Sequence, residues 1–292
     1  MVTSDIKVKV ALLSIVSNTT LIIFKIIAGT LSGSVSIVSE AIHSGMDLVA
    51  SVVAFFSVRQ SSKPADKKHP YGHGKIENIS GMVEGLLIFI AAGMIIIEAF
   101  KKIFEPAEIE QATIAIVVMI VSALINFVVS RKLYKVSQEE DSMALEADAL
   151  HLKTDIYTSL GVGIGIFLIK VTGLLILDSI VAILVALLII KEAWGLSKNA
   201  FDYLLDARLS DEEESEIEKV IIEHSHQFID YHKLKTRKSG NVKHIDFHIT
   251  VAPDLTAKET HDIIGNLKKD MNLKFKSTRI NIHIDPYKKE EN

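Results

Sequence analysis

Two short segments of this chain carry the same polar signature. Glu40-Ala41-Ile42-His43 is followed by Asp47 and Ser51, and Asp148-Ala149-Leu150-His151 by Asp155 and Ser159. Both read acidic-Ala-aliphatic-His-x3-Asp-x3-Ser. A His and an Asp four residues apart share one face of a helix, one turn from each other. Two such helices turned toward one another supply two imidazoles and two carboxylates. That is a complete tetrahedral set for a zinc-like divalent ion, with bond lengths of about 2.0–2.2 Å. A single His-x3-Asp would read as a polar pair on the inner face of a bundle. Its duplication in apolar surroundings favours a ligand site, because ionisable groups at membrane depth are costly, rare and usually functional.

The elements that must hold these residues are apolar helices. Of 292 residues 49% are hydrophobic, yet 32 Lys+Arg and 36 Asp+Glu are also present, and the mean hydropathy is +0.32. The mixture describes a membrane part joined to a water-soluble part. A span needs about 20 mostly apolar residues. Six stretches qualify, at roughly Val8–Ala28, Val35–Val58, Ile79–Ala99, Ala112–Val129, Ala149–Val171 and Leu174–Leu196. The first is not a cleaved signal peptide, since no small-residue cleavage site ends it. The two His-x3-Asp motifs fall on the second and fifth spans, which three-plus-three inverted repeats would run antiparallel. Lys7, Lys9, the Arg59–Lys75 loop and Arg131, Lys132 and Lys135 enrich one side in basic residues, so both termini are expected in the cytoplasm.

From Asp206 the chain turns polar, which divides it into a membrane domain, 1–205, and a cytoplasmic domain, 206–292. The tail reads as αββαβ: a helix over Asp211–His224, strands over His232–Thr236 and Val242–Val251, a helix over Ala257–Met271 opened by a Thr256/Glu259 capping box, and a strand over Arg279–Ile284. The expected fold is thus a six-helix membrane bundle followed by a ferredoxin-like α+β domain.

With no cysteine, disulfides, thiolate catalysis and Cys-based zinc sites are excluded. A formal net charge of -4 gives no support to a nucleic-acid surface. The 11 histidines therefore carry the metal chemistry. His69 and His73 are four apart, but Pro70 and Gly72 argue for a loop. His244, Asp246 and His248 alternate onto one strand face, as do His283 and Asp285. His224 and His226 read as surface residues. Glu40 and Asp148 either fix the ligand imidazoles or line a wet cavity. Lys153 points away from the motif, Lys25 snorkels near the outer end of the first span, and Glu84 and Asp178 make polar contacts on buried faces.

On these residues the chain resembles the cation diffusion facilitator family of metal/proton antiporters, bacterial zinc type. The six spans, the two His/Asp pairs, the loop Pro64-Ala65-Asp66-Lys67-Lys68-His69-Pro70-Tyr71-Gly72-His73-Gly74-Lys75 and the αββαβ tail all take part. The loop is its most specific feature. The resemblance implies a homodimer in the plasma membrane that exports divalent cations from the cytoplasm in exchange for protons. It places His43, Asp47, His151 and Asp155 in the transport site and Asp66, His69 and His73 in a loop site. It places His232, His248, His261, His283 and Asp285 in a regulatory centre at the dimer interface, and Lys75 and Asp206 in an inter-subunit charge interlock. Many bacterial members carry Asp where this chain has His43. Two imidazoles favour zinc over manganese or magnesium; cobalt, nickel and cadmium stay open, and iron is less favoured. Two rivals are a membrane-anchored metal sensor without transport and an intramembrane metalloenzyme. The duplicated motif argues against the first, and the closed four-ligand sphere with no His-Glu-x2-His against the second.

Overall fold

The computed structural model describes residues 2–32, 35–104 and 113–287; within its helices the side chains of 2–4, 32, 35–40, 42, 43, 46, 113–116, 166 and 170 lie outside the description, among them those of Glu40 and His43. The chain divides into two compact units, Met1–Phe201 and Asp202–Asn292.

The first unit consists of six long helices: α1 (Val2–Ser32), α2 (Val35–Ser61), α3 (Lys75–Phe104), α4 (Thr113–Glu140), α5 (Met143–Thr172) and α6 (Ile176–Leu204). Four of them, α1, α3, α4 and α5, contain described segments long and apolar enough to cross a membrane, and α2 and α6 match them in length at 27 and 29 residues. Their exposed faces carry large apolar side chains such as Leu12, Val16 and Ile23 on α1 and Leu184 and Leu187 on α6. Such a surface suits lipid, where a helix satisfies its own backbone. α1, α2, α4 and α5 share one core built on Ala11, Val58, Leu133, Leu145 and Leu152. α3 and α6 meet through Ile88, Ala92, Ala186, Ile189 and Ala193. Small residues at these crossings let the backbones approach closely.

One end of the bundle is tied by a buried ion pair. Lys7 Nζ of α1 lies 2.7 Å from Glu77 Oε1 of α3, with both side chains almost wholly buried. Ser61 at the end of α2 donates to the same oxygen at 2.6 Å, and Ser142, which precedes α5, donates to Glu77 Oε2. The starts of α1, α3 and α5 and the end of α2 therefore share one face of the unit. Lys25 departs from expectation. It is 6% exposed and donates to Ser44 Oγ of α2 at 2.7 Å, because α1 and α2 pack too closely there for the ammonium to reach water.

The second unit holds α7 (Asp211–Glu223), β1 (Asp230–Ser239), β2 (Val242–Val251), α8 (Ala257–Lys274) and β3 (Thr278–Pro286). The strand order is β1-β2-β3, antiparallel and then parallel. A parallel pair cannot close with a tight turn, and α8 is the crossover. Both helices open with complete capping boxes, Ser210/Glu213 and Thr256/Glu259. The core joins Ile217 and Ile221 of α7, Ile245, Phe247 and Ile249 of β2, and Leu267 and Met271 of α8. His224 is not a surface residue: it is buried, with Nδ1 3.0 Å from Val220 O and Nε2 3.2 Å from Asp270 of α8. The α7/α8 packing covers a position that, read in sequence, falls in a polar run.

Candidate metal centres

Among the described residues three groups of potential ligands converge, each offering donor atoms that lie within 4.8 Å of one another. The first is inside the membrane unit. α2 contributes Asp47, and α5 contributes His151 and Asp155. The 3.6-residue repeat sets His151 and Asp155 one above the other, and the α2/α5 packing brings Asp47 across. His151 Nε2 lies 3.1 Å from Asp47 Oδ1, with both side chains buried. Asp155 Oδ2 accepts from Asn126 Nδ2 of α4 at 3.2 Å. His43 sits on α2 one turn before Asp47, and its side chain falls outside the described residues.

The polar residues around this group lie one turn toward the α5 start. Asp148, fully buried, accepts from Ser51 Oγ at 3.0 Å, and Ser51 is also bonded to Ser14 (2.9 Å) and Asn18 (2.7 Å) of α1. Ser51, the last residue of the repeated motif, thus ties α1, α2 and α5 together beside the ligands. Glu84 of α3 is buried near Ser80 Oγ, at 3.3 Å. Lys153 turns away to Glu192 of α6, at 3.2 Å, and Asp178 faces Lys102 at 3.5 Å.

The second group stands in the loop between α2 and α3. Asp66 accepts from the backbone N–H of Lys68 (2.8 Å) and of His69 (2.6 Å), the local turn that a short carboxylate side chain stabilises. Gly72, at φ +92°, lets the chain double back. This places His69 Nδ1 3.5 Å and His73 Nε2 3.4 Å from the two Asp66 oxygens. The His69 backbone N–H, followed by that of Lys68 and the two imidazoles, holds the Asp66 carboxyl below its usual value.

The third group, His232, His248 and Asp285, lies across the sheet of the second unit, with His283 beside it. His232, His248 and His283 occupy one cross-strand row, His232 opposite His248 and His248 opposite His283. A bulge between His232 and Lys235 makes this row. With regular pairing continued from Lys235/Asp246, Lys233 would stand opposite His248 and His232 would turn to the other face. Lys233 instead takes φ +55° and absorbs the extra residue. Asp285, two residues after His283 on the same face, receives all three rings: His248 Nδ1 at 2.9 Å, His232 Nε2 at 3.1 Å and His283 Nε2 at 3.4 Å. The bond from His248 is the main cause of an Asp285 carboxyl held below its ordinary value.

The structure does not bring every expected residue into a group. His261 is 85% exposed on α8, with its Nδ1 3.9 Å from Asp262. His244 shares the β2 face of His248, but its register neighbours are Arg237 and Arg279; burial, then these two cations, lowers its basicity. Cations on both sides disfavour a metal there. Lys75 opens α3, and Asp206, at φ +59°, pairs within its own unit with Arg237 at 3.3 Å. Asn126 has no titratable group and falls outside the repeated motif, so the sequence alone does not single it out.

Comparison with known proteins identifies the family. Residues 11–205 match the cation efflux transmembrane domain family, and residues 209–287 match the cation efflux protein cytoplasmic domain family. The manganese efflux system protein MneP of Bacillus subtilis is 31% identical over 293 residues, covering 97% of each chain. An uncharacterised transporter of Synechocystis is 30% identical over 262 residues, 90% of this chain and 84% of its own. The cation-efflux pump FieF of Shewanella oneidensis is 29% identical over 277 residues, 95% and 93% of the two chains. Apolar helices, paired His/Asp motifs and matches spanning nearly the whole chain lead to one conclusion: this protein belongs to the cation efflux, or cation diffusion facilitator, family, and is a multi-pass membrane transporter rather than an enzyme.

Proposed function

We propose that the protein exports a divalent cation, with zinc preferred, from the cytoplasm across the plasma membrane in exchange for protons, by alternating access around His43, Asp47, His151 and Asp155. The observation that carries this reading is the convergence of Asp47, His151 and Asp155 from two repeat-related helices inside an apolar bundle. A bonded His151 Nε2 and Asp47 Oδ1 share one proton between two atoms. The same two atoms can bind a metal only after that proton leaves. That proton can pass to Nδ1 of a neutral ring or leave the protein from a ring protonated on both nitrogens, so loading the site releases no more protons than its titratable ligands carry. Two imidazoles and two carboxylates favour zinc over harder ions, and a relative named for manganese makes manganese the informative competitor.

The other groups take regulatory roles in this reading. Asp66, His69 and His73 hold a second ion in the loop. His232, His248, His283 and Asp285 hold one or two more at the interface of a homodimer, where the exposed His261 joins them and Lys75 and Asp206 form an inter-subunit ion pair. Both termini are cytoplasmic. The test is metal flux into proteoliposomes under an imposed proton gradient, with zinc and manganese compared. Wild type should move zinc faster and lose transport when the gradient is collapsed. His43→Ala combined with Asp155→Ala should abolish flux; transport at the wild-type rate would refute the site assignment. Equal manganese flux would overturn the zinc preference alone.

A further inference from the structure

The repeat shared by α2 and α5 continues into the helices that pack against them. Ser14 and Asn18 of α1 precede Asp47 by the same intervals at which Ser122 and Asn126 of α4 precede Asp155, each pair lying 108 positions apart. Each half of the membrane unit thus brings one buried amide to its own ligand-bearing helix. The two amides are wired differently. Asn18 Nδ2 donates to Ser51 Oγ, whereas Asn126 Nδ2 donates to a carboxylate oxygen of the metal-ligand candidate Asp155, at 3.2 Å.

An ionised carboxylate only accepts hydrogen bonds, so the nitrogen must be the end of the amide that faces Asp155. The other end, Oδ1 of Asn126, is buried and has no hydrogen-bond partner among the described residues. An apolar side chain of similar size would fill this position without stranding an acceptor. The cost of the amide is offset only by what its nitrogen does for Asp155.

We infer that Asn126 is a positioning residue for the transported cation: its amide holds one oxygen of Asp155 and presents the other to an ion shared with Asp47 and His151. This rests on the reading of those three residues as the transport site. A neutral amide suits the task. It orients the carboxylate without adding positive charge that would repel the cation, and without adding a proton to the exchange. Released from Asn126, the Asp155 carboxylate is free to chelate through both oxygens, which raises the coordination number and makes the site more acceptable to harder ions.

Cobalt(II) titrated into the purified full-length protein tests this, because its visible absorption reports coordination geometry. The component lost in His151→Ala identifies the membrane site among the centres. In Asn126→Leu that component should persist with a weaker, shifted band, and affinity should fall by about tenfold or more, the usual effect of removing a ligand-orienting partner. Asn18→Ala, which removes the repeat-related amide, should leave the band unchanged. If His151→Ala removes no component, the transport-site reading fails regardless of Asn126. If His151→Ala removes it and Asn126→Leu retains wild-type shape and affinity, Asn126 has no positioning role. Equal changes in Asn18→Ala and Asn126→Leu would reduce both to packing and also overturn the inference. Should Asn126→Leu not yield monodisperse protein, Asn126→Ser, whose hydroxyl is too short to reach Asp155, is read in the same way.

Discussion

Lys7→Met should destabilise the membrane unit by about 3–5 kcal/mol, the usual cost of stranding a buried charge, and adding Glu77→Gln should restore most of the loss. The two groups approach to 2.7 Å with side-chain exposures of 6% and 1%. At an effective dielectric of about 20 their attraction is roughly 6 kcal/mol, while removing each ion from water costs several kcal/mol. The intact pair is therefore close to break-even, and the energy lies in breaking it on one side only. Met matches Lys in length and leaves the Glu77 carboxylate facing only the hydroxyls of Ser61 and Ser142. Gln at position 77 removes the charge and still bonds both serines, since its amide accepts and donates. Glu77→Gln alone strands the Lys7 ammonium at a similar cost, and the double variant should fall within about 1 kcal/mol of wild type, so the coupling should be about 5 kcal/mol or more, above the usual range for contacting residues. The assay is a double-mutant cycle on reversible unfolding in mixed micelles. Single-variant costs that simply add, with coupling below about 0.5 kcal/mol, would refute the reasoning, because independent sites behave that way.

Three further outcomes can be checked. Glu216 links α7 to α8, and its carboxyl is held down at about 2 by hydrogen bonds from Lys219 and Lys274. A carboxyl depressed in the folded state stabilises above its unfolded value, here 4.5, and loses that contribution as pH falls toward about 2. Glu216→Gln should flatten the loss of amide exchange protection in α7 and α8 across that window in the full chain. At Gly165 of α5 an added Cβ would collide with Asp178 Oδ1 and lie 3.2 Å from Asp178 Cα, so Gly165→Ala should force α5 from α6 and cost about 1–3 kcal/mol by overpacking, read as a lower unfolding midpoint in micelles. Thr256→Ala removes the side chain that accepts from Glu259 N; it should cost about 1 kcal/mol and raise exchange in the first turn of α8 while leaving α7 unaffected.

Much of the architecture was legible because it rests on local periodicity. Apolar runs of span length mark the membrane helices, alternation marks β2, and Thr256 with Glu259 marks the start of α8. The clearest misreadings concerned burial. Lys25, near the outer end of the first span, is covered by the neighbouring helix α2, and His224, in a polar run, by the more distant α8. Asn126 was missed for a different reason: an isolated asparagine has no titratable signature, and only its 108-residue relation to Asn18 sets it apart.

The inventory of donors and the face each occupies follow from residue types and local periodicity. Without cysteine, metal chemistry is confined to imidazole and carboxylate, and helical or strand periodicity assigns each donor a side from its immediate neighbours. Which faces meet depends on how the elements pack. Asp47 reaches His151 across 104 positions because α2 packs on α5. Lys7 meets Glu77 because the ends of four helices share one face. His232 stands in the row of His248 and His283 because Lys233 takes up one extra residue in a bulge. Spacing along a chain sets directions within an element. Distances between elements follow from how their apolar faces bury one another, and a one-residue shift of register is enough to send a ligand to the opposite side.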